Sequence, residues 1–325
     1  MKAPALVVLG CGWIARRHAA AARRLGVPLI FASRDAARAA AYARRFRALA
    51  AYGGYAEALA DPRAAGAIVC TPHDRHGADV LAALAAGRHV LVEKPIAPGL
   101  EEADRMITAA DQAGRVLMVA ENFHYMPAFR RIRALLESGR LGQLTEIQLI
   151  SRGLSPRTGW RASAAAGGGA LIDGGIHYVH LLRWWGGGVR RVFALAPTRT
   201  LAMEGEDAVS LVAELAGGAV GLLSNSLAAP GVPRFQWSAV TGPRGTCFVD
   251  NRGRFVVLRG GGAPRAWLFR RDRRGHEAML AAFVAAIGAG APGEMDGSAG
   301  RADVAVVQAA YRSMATRAAM DVSPC

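Results

Sequence analysis

Residues 5–15 read ALVVLGCGWIA, a short apolar run that leads into a glycine-rich turn and the start of a helical pattern. An apolar run of this length is typical of a strand that is buried on both faces of a sheet. Gly10 permits the tight turn, Gly12 allows the backbone to approach a pyrophosphate, and Ala15 lets the helix pack closely on the strand. The order of strand, turn and helix therefore predicts a dinucleotide-binding site.

The first turn of this predicted helix offers backbone N–H groups and the positive end of the helix dipole to an anion. Trp13 and Ile14 occupy that turn, directly after Gly12. We therefore expect the pyrophosphate to lie over the segment from Gly10 to Ile14.

Strand and helix patterns continue to alternate after this turn. The apolar runs that predict further strands are 28–32, 65–70, 89–92 and 116–119. This alternation predicts a parallel, doubly wound sheet, in which ligands bind at the carboxyl ends of the strands. The residues that we expect to contact a cofactor at those ends are Cys70, Thr71, Pro72, His76, Glu93, Lys94 and Asn122.

The end of the second strand indicates which dinucleotide the site prefers. A site for NAD typically carries an acidic residue there, bonded to the ribose 2′-hydroxyl. In this sequence Ser33 and Arg34 occupy the strand end, and Arg38 follows on the next helix, so the side chains suit a 2′-phosphate. The pattern favours NADP(H), and NAD(H) stays possible if Asp35 points at the ribose.

Lysine is rare in this chain, and its one internal position is informative. Of the 40 Lys and Arg residues, only Lys2 and Lys94 are lysines. Arginine keeps its proton in proteins, whereas lysine can release its proton in a suitable environment. Because Lys94 follows a predicted strand beside the expected cofactor site, we expect it to bind substrate or to act in catalysis.

The composition is that of a globular chain. Its 325 residues are 52% hydrophobic and 20% charged, and no uninterrupted apolar run is long enough to cross a bilayer. The net charge of +15 comes from scattered arginines without a dense basic tract, so we expect no nucleic-acid partner. We also expect no membrane partner and a cytoplasmic location. The cysteines are far apart, which excludes a disulfide framework or zinc finger; they are Cys11, Cys70, Cys247 and Cys325.

From residue 122 onward the pattern changes to alternating apolar and polar positions. Turn signals separate the runs at 145–151, 208–215, 219–226, 236–241 and 246–249. Such alternation predicts a mostly antiparallel sheet with one exposed face, and we expect that face to form a homodimer or homotetramer. The expected domains are a dinucleotide-binding Rossmann domain at 1–121 and a substrate-binding and oligomerisation domain of α+β class at 122–325.

A glycine-rich stretch at 167–169 precedes a predicted helix with titratable residues on one face. Asp173, His177 and His180 are spaced by four and three residues, which brings them onto that face. A carboxylate with two imidazoles can hold a metal ion. The same residues suit substrate binding and proton transfer by Asp173 and His177, with His180 in the packing. We favour the second interpretation and expect no metal.

Several motifs occur in a specific order along the chain. They are Gly10-Cys11-Gly12, Thr71-Pro72 with His76, the run from Gly87 to Pro95 that ends in Glu93-Lys94-Pro95, and the run from Gly168 to His177. In these motifs the chain resembles the Gfo/Idh/MocA oxidoreductases, the superfamily of glucose-fructose oxidoreductase and inositol dehydrogenase. The combination of the Glu-Lys-Pro motif with the helix of Asp173 and His177 makes the resemblance specific.

The resemblance implies a Rossmann domain followed by a domain with a large, open, mostly antiparallel sheet. It also implies hydride transfer between a nicotinamide and a hydroxyl or carbonyl carbon of a sugar or sugar-like substrate. By family analogy Lys94, Asp173 and His177 are catalytic. Asp173 would hold a substrate hydroxyl and bias His177, and either Lys94 or His177 would supply the proton.

The residues expected to contact this substrate are Lys94, His124, Tyr125, Trp160, Arg161, Asp173 and His177. His124 stands where many relatives carry arginine. Three alternatives stay open on the same fold: reduction of an imine, NAD-dependent hydrolysis of a glycoside, and a non-catalytic NADP-binding regulator. The presence of Lys94, Asp173 and His177 argues against the regulator, because a sensor needs none of them.

Overall fold

The computed structural model describes residues 4–231 and 236–323 of the chain. They form two compact units. Unit 1 holds the described residues up to 121 together with 276–301, and unit 2 holds those from 122 to 275 and from 302 onward. Lys2 and Cys325, which were counted in the sequence, lie outside the described residues.

Strands and helices alternate through the first part of unit 1. In chain order they are β1 (Ala5–Leu9), α1 (Trp13–Leu25), β2 (Leu29–Ala32), α2 (Ala36–Phe46), β3 (Ala50–Tyr52), α3 (Tyr55–Leu59), β4 (Ala64–Val69), α4 (His76–Ala85), β5 (His89–Glu93), α5 (Leu100–Ala113) and β6 (Leu117–Ala120). The six strands pair in parallel in the order β3-β2-β1-β4-β5-β6. This confirms the predicted doubly wound sheet. The direction of the strand order reverses between β1 and β4, where such sheets form a ligand-binding crevice.

The central strands of this sheet are buried on both faces, as their apolar runs predict. All five residues of Ala5–Leu9 are buried, and so are all four of Leu29–Ala32. The edge strand β3 was not predicted, because its three residues are only partly buried and carry no distinct apolar run.

The elements from residue 122 onward comprise the strands of the second sheet and four further α-helices. In chain order they are α6 (Pro127–Glu137), β7 (Glu146–Arg152), α7 (Ile176–Gly186), β8 (Val189–Leu195), β9 (Ala208–Leu215), β10 (Val220–Ser226), β11 (Trp237–Gly242), β12 (Gly245–Asp250), β13 (Phe255–Arg259), β14 (Arg265–Leu268), α8 (His276–Ala289), α9 (Gly297–Thr316) and β15 (Met320–Asp321).

The sheet of unit 2 has nine strands in the order β14-β13-β12-β11-β7-β10-β9-β8-β15. Within the described ranges only β7 and β10 pair in parallel, and the other neighbours are antiparallel. This confirms the large, mostly antiparallel sheet. Helix α7 packs on its central strands, and Ser313 of α9 accepts a hydrogen bond at 2.9 Å from the Ala194 N–H of β8.

The opposite face of this sheet is exposed and partly apolar. Side chains in register across neighbouring strands form a row of Phe193, Val212, Leu222 and Gln148. They line a shallow groove of about 400 Å³. Within the described part of the chain, no helix combines the length and apolar character needed to cross a membrane.

Helix α8 belongs to unit 1, although the sequence analysis assigns its residues to the second domain. It packs against α1, and Met279, Leu280 and Phe283 are completely buried. The apolar residues of α8 predict that the helix is buried against another element, but their spacing does not indicate which sheet it packs on.

Candidate functional site

The turn after β1 is shaped for close approach of a phosphate group. Gly10 has a φ of 93°, and a Cβ atom there would lie 2.9 Å from the Cys70 carbonyl oxygen, which excludes a side chain. Gly12 precedes α1 as a cap without a side chain, and a Cβ atom there would meet no described atom within 4 Å. Helix α1 therefore begins without a cap from the Gly12 side, and the space where a Gly12 side chain would stand is open. This arrangement fits the pyrophosphate of a dinucleotide.

Thr71 lies beside this turn, just after β4. Its Cγ2 atom is 3.4 Å from the position of a Cβ atom on Gly10. Its Oγ1 atom is buried without a hydrogen-bond partner among the described residues. A buried hydroxyl without a partner costs free energy, which a hydrogen bond to a bound cofactor would offset. The orphaned hydroxyl is therefore a second feature that fits a ligand at this edge.

His76 is completely buried below the two loops that follow β4 and β5. Its Nδ1 atom lies 2.8 Å from the Pro95 carbonyl oxygen, and its Nε2 atom lies 3.1 Å from the Thr71 carbonyl oxygen. Burial lowers the pKa of His76, which favours the neutral ring. In the structure this predicted cofactor contact joins the two loops that carry Thr71 and Lys94.

The end of β2 places its polar residues in different roles. Asp35 caps α2: one carboxylate oxygen accepts a hydrogen bond from the Arg38 N–H at 3.0 Å, and the other lies 3.6 Å from the Arg38 guanidinium. Ser33 is buried, and its Oγ accepts a hydrogen bond from the Asp35 N–H at 3.2 Å. Arg34 is exposed. Asp35 thus caps α2. The Ser33 hydroxyl proton and the Arg34 side chain can form hydrogen bonds with a phosphate group.

Glu93 ends β5 and forms a buried pair with His18 of α1. The His18 Nε2 atom lies 2.8 Å from a Glu93 carboxylate oxygen. Although burial raises the pKa of Glu93, the hydrogen bond with His18 and the charges of His18, Lys94 and His276 bring it down to about 2. Lys94 is half-buried next to this fixed carboxylate, and its N–H lies 3.3 Å from the second oxygen.

In unit 2 the carboxylate of Asp173 lies between two arginines. Asp173 belongs to a π-helical segment, Ala170–Gly175, that continues into α7. The Nε atom of Arg157 lies 3.1 Å from one carboxylate oxygen, and the Nε atom of Arg161 lies 3.5 Å from the other. Arg161 also covers the Trp160 ring at 4.8 Å from its centroid. Two guanidinium groups and one carboxylate give this cluster a net positive charge.

The glycines before this segment allow a close approach of Glu206. A Cβ atom on Gly169, whose φ is 154°, would lie 2.7 Å from the Glu206 carboxylate. One carboxylate oxygen of Glu206 accepts hydrogen bonds from the Leu171 N–H at 2.7 Å and from the Tyr311 hydroxyl at 3.2 Å. Glu206 therefore anchors the start of the segment that carries Asp173.

The turn that carries Asn122, Phe123, His124 and Tyr125 lies against α7. The ring of His177 stacks on Phe123, with centroids 4.3 Å apart and planes inclined by 12°. The buried His124 has its Nδ1 atom 3.1 Å from Nε2 of His180. Tyr125 is also buried, and the Asn122 side-chain amide donates to the Arg274 carbonyl oxygen at 2.7 Å.

His180, the third residue of the titratable face, is bonded on both sides. Its Nδ1 atom lies 3.0 Å from a carboxylate oxygen of Asp303, whose other oxygen accepts a 2.7 Å hydrogen bond from Arg183 Nε. Although burial raises the pKa of Asp303, Arg183 and His180 outweigh it and hold the pKa below its usual range. Among residues 4–231 and 236–323, no group of three or more His, Cys, Asp or Glu side chains is arranged to hold a metal ion.

The structure therefore assembles the predicted residues into two separate sets, one in each unit. In unit 1 Gly10, Gly12, Thr71 and Lys94 follow strands of one parallel sheet, at the same edge. In unit 2 Asp173 and His177 follow one another along a continuous helical segment.

Sequence reasoning missed several residues that hold these sets in place: His18, Arg157, Glu206 and Asp303. A signal existed for His18, a polar residue on the buried face of an alanine-rich helix. Arg157 lies four residues before Arg161, which was predicted to contact the substrate. No local pattern could pair Asp303 with His180, because the two are 123 residues apart in sequence.

Two family models match the chain, one in each unit. A model described as an oxidoreductase family with an NAD-binding Rossmann fold matches residues 5–121. A model described as the GFO/IDH/MocA C-terminal domain matches residues 129–247.

Similar proteins include two named enzymes. Trans-1,2-dihydrobenzene-1,2-diol dehydrogenase of Sus scrofa is 33% identical over 199 residues, which cover 60% of this chain and 58% of the relative. 1,5-Anhydro-D-fructose reductase of Ensifer adhaerens is 33% identical over 182 residues, or 54% of this chain and 55% of the relative. The chain thus spans little more than half the length of these curated relatives.

A solved structure extends the similarity to the whole chain. GenD2 from gentamicin A biosynthesis, in complex with NAD, superposes with a TM-score of 0.87 at 29% identity. The superposition covers 100% of this chain and 97% of that one.

Proposed function

The chain belongs to the GFO/IDH/MocA oxidoreductase family, and from this premise we propose that it is an NADP-dependent oxidoreductase acting on a sugar or sugar-like substrate. The observation that carries the proposal is the open turn at Gly10 and Gly12 beside the orphaned hydroxyl of Thr71. A polyhydroxylated substrate is supported by the names of two relatives, one a dihydrodiol dehydrogenase and the other an anhydrofructose reductase.

The preference for NADP is supported by the side chains at the end of β2. Asp35 uses its carboxylate to cap α2 and to pair with Arg38, which leaves a ribose 2′-hydroxyl without its usual acidic partner. The exposed Arg34 can pair with a 2′-phosphate and stack on adenine, and Ser33 can donate a hydrogen bond to the same group. These roles predict selective binding of the phosphorylated dinucleotide.

Titration of the purified protein with NADPH and with NADH tests this proposal. We expect tighter binding of NADPH, and we expect Arg34→Ala to weaken NADPH binding by roughly 1.5–3 kcal/mol, the range of a charged hydrogen bond. NADH affinity should stay the same. Arg44→Ala, which removes another exposed arginine from unit 1, is the matched control for the loss of overall positive charge. An equal loss of both affinities in Arg34→Ala would show that Arg34 does not recognise the phosphate.

The proposed chemistry divides between hydride and proton. When bound, the nicotinamide would supply or accept the hydride. Lys94 is the first candidate to move a proton at the substrate oxygen, and His177 is the second. Such acid–base assistance contributes about 10²–10⁴-fold in rate. Asp173 is proposed to accept a hydrogen bond from a substrate hydroxyl, with Arg157 and Arg161 keeping the carboxylate charged and oriented.

The remaining site assignments stay predictions. For the cofactor they are Trp13, Ile14, Arg38, Cys70, Pro72, His76, Glu93 and Asn122, and for the substrate they are His124, Tyr125, Trp160 and Arg161. The cytoplasmic location is also a prediction.

We propose that the exposed face of the unit 2 sheet pairs with a second copy of the chain. Phe193, Leu195, Val212 and Val220 are exposed by 38 to 48%, and burying such apolar area is favourable. Analytical ultracentrifugation should show a homo-oligomer that Val212→Glu dissociates. Leu49→Glu changes an equally exposed apolar residue in unit 1 and should leave the oligomer intact. A wild-type monomer would overturn this assignment.

A further inference from the structure

Three buried side chains in unit 2 form a continuous hydrogen-bonded chain, and only one of them, the predicted substrate contact His124, has a place in the proposed function. Asp303 of α9 contacts His180 of α7 at 3.0 Å, and His180 contacts His124 at 3.1 Å. Their exposed fractions are 3%, 1% and 5%. Burying polar groups this deeply costs free energy unless their hydrogen bonds are made. Loss of one of these bonds would therefore destabilise the folded protein.

The ionised Asp303 places a proton on the ring nitrogen of His180 that faces it. Its carboxylate only accepts, so Nδ1 of His180 donates this hydrogen bond. The contact between His180 Nε2 and His124 Nδ1 needs one donor and one acceptor, so the proton positions of the two rings are linked.

Other groups around the chain reinforce this arrangement. Arg183 of α7 donates to the second oxygen of Asp303 at 2.7 Å, which keeps the carboxylate ionised. The ring of Trp184 lies on His124 with centroids 4.2 Å apart, and the ring of Tyr125 meets it edge-on at 5.0 Å. His124 therefore has a restricted orientation.

The hydrogen-bonded chain of Asp303, His180 and His124 ends next to a turn that contacts His177, a candidate to move a proton in the proposed reaction. His124 is adjacent in sequence to Phe123, whose ring stacks on His177. His177 and His180 lie three residues apart on α7, so the turn at 122–125 contacts this helix at two neighbouring points. One contact is the stacked ring pair, and the other is the hydrogen bond from His124 to His180.

We infer that His124, His180 and Asp303 are positioning residues for His177. They fasten the turn at 122–125 to α7, and this keeps the Phe123 ring in place against the His177 imidazole. The inference rests on the proposed catalytic role of His177. Its physical content is that breaking the His124–His180 bond releases the turn and lets the His177 ring reorient.

Histidine side-chain NMR tests the inference without a substrate. The chain has 8 histidines, few enough to resolve in long-range ¹H–¹⁵N spectra of the full-length protein. His177→Asn identifies the His177 signals. We expect His180→Leu, which removes both bonds, to move the His177 signals. His180→Gln keeps a polar group near the Nε2 position toward His124 and should restore most of the wild-type signals.

The kinetic test first screens sugars and keto-sugars for NADPH-linked turnover by the wild-type protein, and then compares the variants on a substrate found in this way. His180→Leu should lower kcat at least about 10-fold, the scale expected when a reacting group is misplaced, while NADPH affinity stays within error. His124→Leu breaks the same bond from the turn side and should reproduce both effects, which keeps the test decisive if His180→Leu does not fold.

Two results would overturn the inference. One is that the His177 signals are unchanged in a folded variant that lacks the His124–His180 bond. The other is that His180→Gln perturbs the His177 signals as strongly as His180→Leu. Failure of the proposed function has a different signature: His177→Asn would then leave kcat at the wild-type value, and the NMR result would still decide the positioning role.

Discussion

The residues proposed for cofactor binding in unit 1 and those proposed for catalysis in unit 2 differ in the contacts that hold them in place. In unit 1 the turn at Gly10 and Gly12 is built from backbone, next to a strand end, and the space beside Gly12 is open. In unit 2 the helical segment that carries Asp173 and His177 is held by side chains from distant parts of the chain: Glu206 accepts from the Leu171 N–H, and Asp303 contacts His180.

This difference follows from the chemistry each set is proposed to perform. A phosphate can be bound by N–H groups that any sequence supplies once the turn has its glycines. Proton transfer needs specific side chains with a defined orientation and protonation state, and these require surrounding contacts. The comparison predicts that changes in unit 1 turn residues affect cofactor affinity, while changes in the side-chain sets affect turnover.

Lys94 is the strongest test of this division, because it is a side chain in the backbone-built unit. We expect Lys94→Ala to lower kcat by about 10²–10⁴-fold while NADPH affinity barely changes. Lys94→Arg keeps the positive charge but cannot release a proton, so it should be nearly as slow. Steady-state kinetics with a separate NADPH titration checks both. Turnover near that of the wild type in Lys94→Ala would remove Lys94 from the chemistry.

The buried pair of His18 and Glu93 predicts a pH-dependent stability. The pKa of Glu93 is lowered from 4.5 to about 2 in the folded protein, so the unfolded chain binds this proton more readily. The stabilisation is therefore complete above pH 4.5 and is lost as the pH falls toward about 2. Glu93→Gln should abolish this part of the pH dependence and cost up to about 3 kcal/mol at neutral pH.

Urea unfolding at several pH values between 3 and 7 measures this effect. Glu137→Gln is the matched control, because its carboxylate forms an exposed pair with Arg133 and should change stability by about 0.5 kcal/mol or less. If the free energy of unfolding of Glu93→Gln depends on pH as in the wild type, the pair of Glu93 and His18 is not the source of that pH dependence.

Gly12 gives the smallest but most selective expected effect. Its φ of −90° suits alanine, and the space beside it is open, so Gly12→Ala should change the free energy of unfolding little. The added methyl group would occupy space proposed for the pyrophosphate, and we expect NADPH to bind about 10-fold more weakly, or about 1.4 kcal/mol. Calorimetric titration and thermal unfolding separate the two effects. Unchanged NADPH affinity would place the pyrophosphate elsewhere.

The sequence predicted most of the strands that consist of a distinct apolar or alternating run. The runs at 5–9 and 89–92 correspond to β1 and β5, and the alternation at 208–215 corresponds to β9. The strands β8, β13 and β14 were not predicted. In β14 most residues are exposed, so the strand carries little apolar pattern, and its place is decided by pairing with β13.

The candidate site was predictable in part for the same reason. Gly12 and Lys94 stand in local motifs whose chemistry can be read from neighbouring residues. The pairing of Asp173 with Arg157 was missed, because an arginine in an irregular segment gives no signal of where its side chain points. The partners of His180 were missed because one lies on α9 and the other on a turn before α6.

The sequence by itself determined the parallel sheet, the glycine-rich turn after β1 and the identity of the titratable residues, because each is encoded by local spacing and residue type. Only the tertiary structure decided that α8 packs with unit 1 and that Asp35 is engaged in capping α2. It also decided that His180 lies between Asp303 of α9 and His124 and contacts both. These outcomes depend on contacts between residues that are distant along the chain, and local pattern carries no information about them.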